Sequence, residues 1–271
     1  MRPDFAESEV RCGLGLIGIG KPWGVVPGEV PSELEALRFL EGAYAAGVRY
    51  FDTAASYASS ERRLGELLRS LSTAERSGIT VATKFGEHWD EQAGRPYVDH
   101  SFAALAKSLE RSLERLGAID VLQLHKSSPE VLASGDLARA WEMARAAGIP
   151  ELGPSVSDLE SARLASVCGC YQMLQLPLNR QSPQFAGPLA AAGRAGMWAA
   201  INRPFAMGQI VIEAGPQHAH AARVEAFEEV LSHRFRGVIL SGTKSLAHLR
   251  ENLEAFREAC QKRPRENAPQ S

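Results

Sequence analysis

Arg49-Tyr-Phe-Asp52, Ile79-Thr-Val-Ala-Thr-Lys84 and Ile119-Asp-Val-Leu-Gln-Leu-His125 are three short runs of β-branched and apolar residues, and each ends on a side chain that can hold or move a proton. Each run precedes a segment whose apolar residues recur at helical spacing. The same alternation continues toward both ends of the chain. Candidate strands fall at residues 13–20, 49–52, 79–84, 119–125, 151–156, 173–176, 197–202 and 237–241. Helical patterns occupy about 32–46, 61–70, 101–116, 136–147, 158–167, 188–195, 221–232 and 245–259. Asp158 and Ser245 are suited to cap helix starts, and Gly117 and Gly148 to end helices. Eight β/α repeats in about 250 residues predict a closed (β/α)8 TIM barrel, an α/β fold in a single domain over residues 1–271. The competing layout is an open doubly wound sheet, which has fewer strands and splits at a switch point. The stretch from about 261 to 271 reads as a polar, frayed tail.

Composition narrows the function classes. Of 271 residues, 45% are apolar and 23% charged, enough to bury a core and too apolar for a disordered chain. With 30 Lys and Arg against 32 Asp and Glu, the net charge of -2 offers no footprint for a polyanion, so nucleic acid is not an expected partner. The first ten residues mix charges of both signs, and no apolar run is long enough to span a bilayer; the expectation is no signal peptide, no membrane partner and a cytoplasmic location. Cys12, Cys168, Cys170 and Cys260 are expected to be reduced thiols. Cys168-Gly-Cys170 lacks the second pair or histidine of a zinc site, so no metal is expected. His218 and His220 sit in a Gly- and Pro-bounded stretch and read as solvated loop residues.

Three motifs fail on context. Gly13-Leu-Gly15-Leu-Ile-Gly18 spells a dinucleotide fingerprint, but Pro22, Pro27 and Pro31 follow where a helix would have to begin, so the glycines are assigned to a first strand. Gly15 to Lys21 resembles a P-loop, yet Pro22 stands where a hydroxyl must hold magnesium. Gly153-Pro-Ser155-Val-Ser157 lacks the last glycine of a nucleophile elbow.

In a parallel barrel all strand carboxyl ends share one face, which brings Asp52, Lys84 and His125 to one mouth, with Tyr57 five residues past Asp52 in the following loop. Singly, each has an ordinary reading as a cap, a rim residue or a packing residue. Together they suit proton transfer to a carbonyl oxygen. A tyrosine hydroxyl titrates near pKa ~10, and an adjacent ammonium lowers that value, so Lys84 is expected to shift Tyr57 downward while Asp52 holds Lys84 charged. His125 is expected to hydrogen-bond the same oxygen. No Ser or Cys nucleophile with a base is apparent, which leaves a hydride donor, and so a cofactor, as the missing ingredient.

These residues carry a resemblance. FDTAASY with ASSERRLGELL, then VATKFG, LQLH, GPSVSD, LQLPLN, NRPFAMG and SGTKSLAHLRENL are similar, in order, to the landmarks of the aldo-keto reductase family over residues 13–256. The resemblance implies a barrel binding extended NADP(H), with Asp52, Tyr57, Lys84 and His125 as a catalytic tetrad and Tyr57 as general acid. It implies further that Ser155 and Gln175 hydrogen-bond the nicotinamide carboxamide, that Asn202 lies against the nicotinamide, and that Gly242, Thr243, Lys244, His248 and Asn252 surround the adenosine and its 2′-phosphate. Thr243 and Lys244 precede a helix start, where unpaired N–H groups favour an anion, so NADPH is expected over NADH.

Three positions depart from the family pattern: Asn202 replaces a stacking aromatic, Val156 an Asn, and Ala58 a glycine after the tyrosine. The expected activity is reduction of aldehydes or ketones, or oxidation of an alcohol or sugar, by hydride transfer. The alternative is an NADP(H)-binding sensor or regulatory subunit with little turnover. The expected partner is a small-molecule carbonyl or alcohol substrate; the sequence does not state an oligomeric state.

Overall fold

Side chains along a strand alternate between its two faces, and here the two faces meet different surroundings. The computed structural model describes residues 5–6, 9–26 and 28–262. Among them the strands are β1 (Val10–Gly15), β2 (Tyr50–Asp52), β3 (Thr80–Phe85), β4 (Glu87–Asp90), β5 (Arg95–Val98), β6 (Val121–Leu124), β7 (Glu151–Pro154), β8 (Met173–Pro177), β9 (Trp198–Asn202) and β10 (Gly237–Gly242). Eight of them form one sheet in the order β7-β6-β3-β2-β1-β10-β9-β8, with parallel neighbours. Its two ends meet through a Ser155–Gln175 bridge, with Gln172 N–H donating to Leu152 O at 2.9 Å and Val156 N–H to Gln175 O at 2.9 Å. Gly153 permits this closure, because a Cβ there would collide with the Met173 carbonyl oxygen. The result is the expected (β/α)8 barrel.

Period two then sorts the side chains into layers. Tyr50, Ala82, Val121, Met173, Trp198 and Val238 share one buried cluster inside the barrel. Phe51, Val81, Phe85, Leu122, Leu124 and Leu174 belong to the larger cluster between sheet and helices. Phe51 is fully buried there, and truncating such a side chain to alanine costs about 3–5 kcal/mol. Two residues beyond the inward Tyr50, Ala82, Val121 and Met173 come Asp52, Lys84, Gln123 and Gln175. The polar floor of the barrel mouth is thus fixed by strand register.

The eight principal helices match the sequence expectation within a few residues: Glu33–Ala45, Ser60–Ser70, Phe102–Leu116, Gly135–Ala146, Leu159–Val167, Ala186–Arg194, Ala219–Ser232 and Leu246–Lys262. Asp158 caps its helix by accepting from Ser161 N–H at 2.8 Å, and Gly117 ends the preceding long helix at φ +77°. Left-handed backbone divides by position. Gly47, Gly117, Gly148 and Gly196 adopt positive φ where helices turn back toward strands; in the loops that follow β2, β3, β6 and β9 Ala58, Lys126, Arg203, Ala206 and Met207 adopt it as well as Gly86 and Gly208.

Several expectations need correction. The first strand is Val10–Gly15, not 13–20: the backbone leaves the sheet at Leu16, whose N–H donates to Asp52 O at 2.8 Å, and Ile17–Gly20 forms a helical turn. Between the expected strand at 79–84 and the expected helix at 101–116, where the sequence reading assigns no element, the chain forms the antiparallel hairpin β4–β5. His220 is not a loop residue but stands in the first turn of Ala219–Ser232, with Nε2 3.0 Å from Glu258 Oε2. Cys168 and Cys170 are joined in a disulfide rather than reduced, the left-handed Gly169 bringing their Cα atoms to 5.4 Å; Cys12 and Cys260 are free thiols. Of the tail expected over about 261–271, Gln261 and Lys262 instead end the helix Leu246–Lys262, and residues 263–271 lie outside the described residues.

Candidate active site

β2 and β3 bring Asp52 and Lys84 together at the floor of the mouth. Lys84 Nζ donates to Asp52 Oδ1 at 2.5 Å and to Thr53 O at 2.8 Å, and both side chains are buried. Asp52 Oδ2 accepts from Gln123 Nε2 at 3.1 Å and Gln175 Nε2 at 3.3 Å, so both carboxylate oxygens have donors. Burial pulls the Lys84 ammonium below its ordinary value, while Asp52 acts in the opposite sense.

Tyr57 arrives on the loop after β2 and hangs over this pair, with Lys84 Nζ 5.3 Å from its ring centroid. Its backbone is pinned from two sides: Ser60 N–H donates to Tyr57 O at 3.0 Å, and Gly20 lies so close that a Cβ there would strike the same oxygen. Ala58, where a glycine was the family expectation, holds φ +47°. The expected downward shift of the phenol is not found. Burial first, then the Asp52 and Glu87 carboxylates, push Tyr57 well above its ordinary value, against a smaller downward pull from Arg203. Tyr57 is therefore a protonated phenol.

His125 follows β6 and meets Tyr57 edge-on, ring centroids 5.8 Å apart at 79°. Its Nδ1 lies 3.1 Å from Glu87 Oε2 and 3.3 Å from Ser56 Oγ, and Ser56 donates to Glu87 Oε2 at 2.7 Å. Despite that carboxylate, burial and the cations Lys84, Lys126, Lys21 and Arg203 hold the imidazole well below its ordinary value. A neutral ring beside Glu87 donates its Nδ1–H there and leaves Nε2 as an acceptor. Ser56, Glu87 and Gln123 escaped the sequence reading. The signal was present: Gln123 sits two residues before His125, on the same inward period, and Glu87 three residues after Lys84.

The expected cofactor residues fall into two groups. Ser155 and Gln175 are buried beside the Asp52–Lys84 floor, Ser155 Oγ donating to Gln175 Oε1 at 2.7 Å. Asn202, at the end of β9, has a buried side-chain oxygen without a hydrogen-bond partner. Around the other end, Gly242 closes β10, Thr243 Oγ1 accepts from Ser245 N–H at 3.1 Å, and Lys244 Nζ donates to Glu29 O. His248 is exposed on the first turn of Leu246–Lys262, and its N–H donates to Ser245 Oγ at 3.4 Å. Asn252 faces inward instead: it is buried, and its Oδ1 accepts from Arg223 Nε at 3.1 Å. Among the described residues no cluster of metal-ligating side chains occurs, and no helix is long and apolar enough to cross a membrane.

The Aldo/keto reductase family model matches residues 11–163, more than half of the chain. The chain belongs to the aldo/keto reductase family. It is 31% identical over 171 residues to the aldo-keto reductase str7 of Strobilurus tenacellus, covering 61% of this chain and 48% of that protein. It is 32% identical over 183 residues to a D-threo-aldose 1-dehydrogenase of a Pseudomonas species, covering 54% of each. The chain thus spans about half the length of the curated relatives it matches. The aldo-keto reductase PA4992 of Pseudomonas aeruginosa superposes with a TM-score of 0.76 at 25% identity, covering 94% of this chain and 92% of that one. The fold of this aldo/keto reductase is shared, at 19% identity and a TM-score of 0.71, by the holo form of AKR11C1 from Bacillus halodurans, which covers 93% of this chain and 91% of that one.

Proposed function

We propose that this aldo/keto reductase is an NADP(H)-dependent, cytoplasmic oxidoreductase that interconverts small aldehydes or ketones with alcohols, Tyr57 exchanging the proton. The observation that carries this reading is the buried Lys84–Asp52 pair beneath a buried, protonated phenol at the barrel mouth. NADP(H), when bound, supplies or accepts the hydride. The residues present fit it: Asn202 offers a buried oxygen without a partner to an amide or hydroxyl donor, Ser155 and Gln175 stand beside it, and Thr243 and Lys244 flank a helix start suited to a phosphate.

Tyr57 donates its hydroxyl proton to the carbonyl oxygen as charge develops there, and Lys84 stabilises the phenolate left behind. Asp52 keeps Lys84 charged and aimed upward. His125, with Nδ1–H given to Glu87, offers Nε2 as an acceptor and so holds the hydroxyl of the alcohol rather than the bare carbonyl. Water is excluded from the floor by Gln123, Gln175 and the barrel walls. Initial rates with a panel of aldehydes, ketones and aldoses against NADPH and NADH test the proposal. Turnover of at least one carbonyl or sugar class with NADPH is expected; cofactor binding without turnover of any of them would overturn it.

A further inference from the structure

Beside the barrel mouth a cavity of about 290 Å³ opens between the β4–β5 hairpin and helix Phe102–Leu116, with Ala55 of the loop after β2 at its inner end. Tyr57, Lys84 and His125 do not line it. The helix contributes Lys107, Ser108 and Arg111 to the cavity lining, and the hairpin contributes His88 and Tyr97, which share one face of it.

The cavity is cationic. Lys107 and Arg111 stand four residues apart on one helix face, and neither has an ion-pair partner among the described residues. At its edge Arg115 Nη1 pairs with Glu61 Oε2 at 3.1 Å, and the Asp99 carboxylate, which accepts from Ser101 N–H at 2.9 Å, keeps its negative charge, so the lining sets two unpaired cations against one carboxylate. Between the two free cations, Ser108 is 4% exposed and its Oγ is buried without any hydrogen-bond partner. A buried hydroxyl left unsatisfied is costly, and a lining position gives it a ligand oxygen to bond. The opposite wall is aromatic, with Tyr97 tilted 32° on His88 at 5.1 Å, the two being paired across the hairpin on one face.

We propose that this cavity is a second ligand site, which binds a planar aromatic carboxylate. The carboxylate meets Arg111 as a two-pronged partner, Lys107 as a point charge and the Ser108 hydroxyl as a third donor. The ring lies along Tyr97 and its neighbour His88. No part of this rests on the proposed redox chemistry.

Calorimetric titration tests it on the full chain held with saturating NADPH, using benzoate as probe, acetate as charge without ring and benzyl alcohol as ring without charge. Benzoate is expected to bind, with both controls weaker by about tenfold or more, and Lys107→Gln/Arg111→Gln is expected to weaken benzoate by a similar factor. Both substituted side chains are exposed, so the thermal midpoint of that variant should match wild type. Ser108→Ala, which removes only the hydroxyl, should weaken benzoate by a smaller factor. Benzoate binding unchanged in the double variant, equal binding of acetate or benzyl alcohol, or no benzoate binding at all would each overturn the proposal.

Discussion

On the β2, β3 and β6 side of the mouth, both oxygens of Asp52 have donors, Lys84 is buried against it, and Glu87 holds His125. On the β9 and β10 side, Asn202 carries a buried oxygen with no partner, and Lys244 leans on a neighbouring backbone carbonyl. The first region is held together by charged pairs, with Gln123 Oε1 left without a partner. The second has no such pair among the described residues, and the Asn202 and Ser241 side-chain oxygens there are buried without partners. A site of this kind keeps its acid and its supporting charges preorganised, where displacement is most costly.

Substitutions on the charge-paired side should have the largest effects. Tyr57→Phe is expected to lower kcat for carbonyl reduction by about 10²- to 10⁴-fold with NADPH affinity retained, read by initial rates and fluorescence titration. Near-wild-type kcat would move the proton donor elsewhere. Lys84→Met leaves Asp52 buried without its cation and should cost about 3–5 kcal/mol of stability in urea denaturation, largely recovered in Lys84→Met/Asp52→Asn. A single variant as stable as wild type would show that the two sides do not differ in the way described.

On the other side, Lys244→Ala should weaken NADPH by about tenfold while leaving NADH little changed, since only the former carries a ribose phosphate. Equal losses for both cofactors would remove Lys244 from phosphate recognition. The smallest effect concerns pH. His125 titrates in the folded chain well below an unfolded histidine near ~6.5, so the folded state binds fewer protons as pH falls through that value. Stability is then fully present above about pH 6.5 and lost below it, with a slope of at most about 1.4 kcal/mol per pH unit. Denaturation midpoints across this range should show the slope in wild type and a flatter one in His125→Asn.

Much of the scaffold was legible because the strands are short and the helices between them carry caps. Asp52, Lys84 and His125 were found because barrel geometry places strand ends together whatever their separation in sequence. Glu87 and the hairpin were missed for a common reason: β5, Arg95–Val98, is exposed along its whole length, so no apolar alternation announces it. The direction of the Tyr57 shift was missed for another. Sequence gives the proximity of an ammonium, but it does not give the burial that dominates, nor the Glu87 carboxylate that adds to it. Asn252 shows the converse, a helix position whose identity fits the family pattern while its side chain packs on Arg223.

The distribution of left-handed backbone bears on how this chain can be altered. Where helices return to strands, glycine adopts that conformation at no steric cost, and any other residue there is a loss. In the loops above the mouth, Ala58, Arg203 and Met207 adopt it with side chains attached, each at a cost on the order of 1 kcal/mol. Glycine at Ala58 is accordingly a route to a more thermally resistant barrel, and it acts on the very segment that carries Tyr57. Selection for heat resistance alone would therefore reach first for the residue whose stiffness aims the phenol, so a hardier variant and a slower one can arise from the same single change.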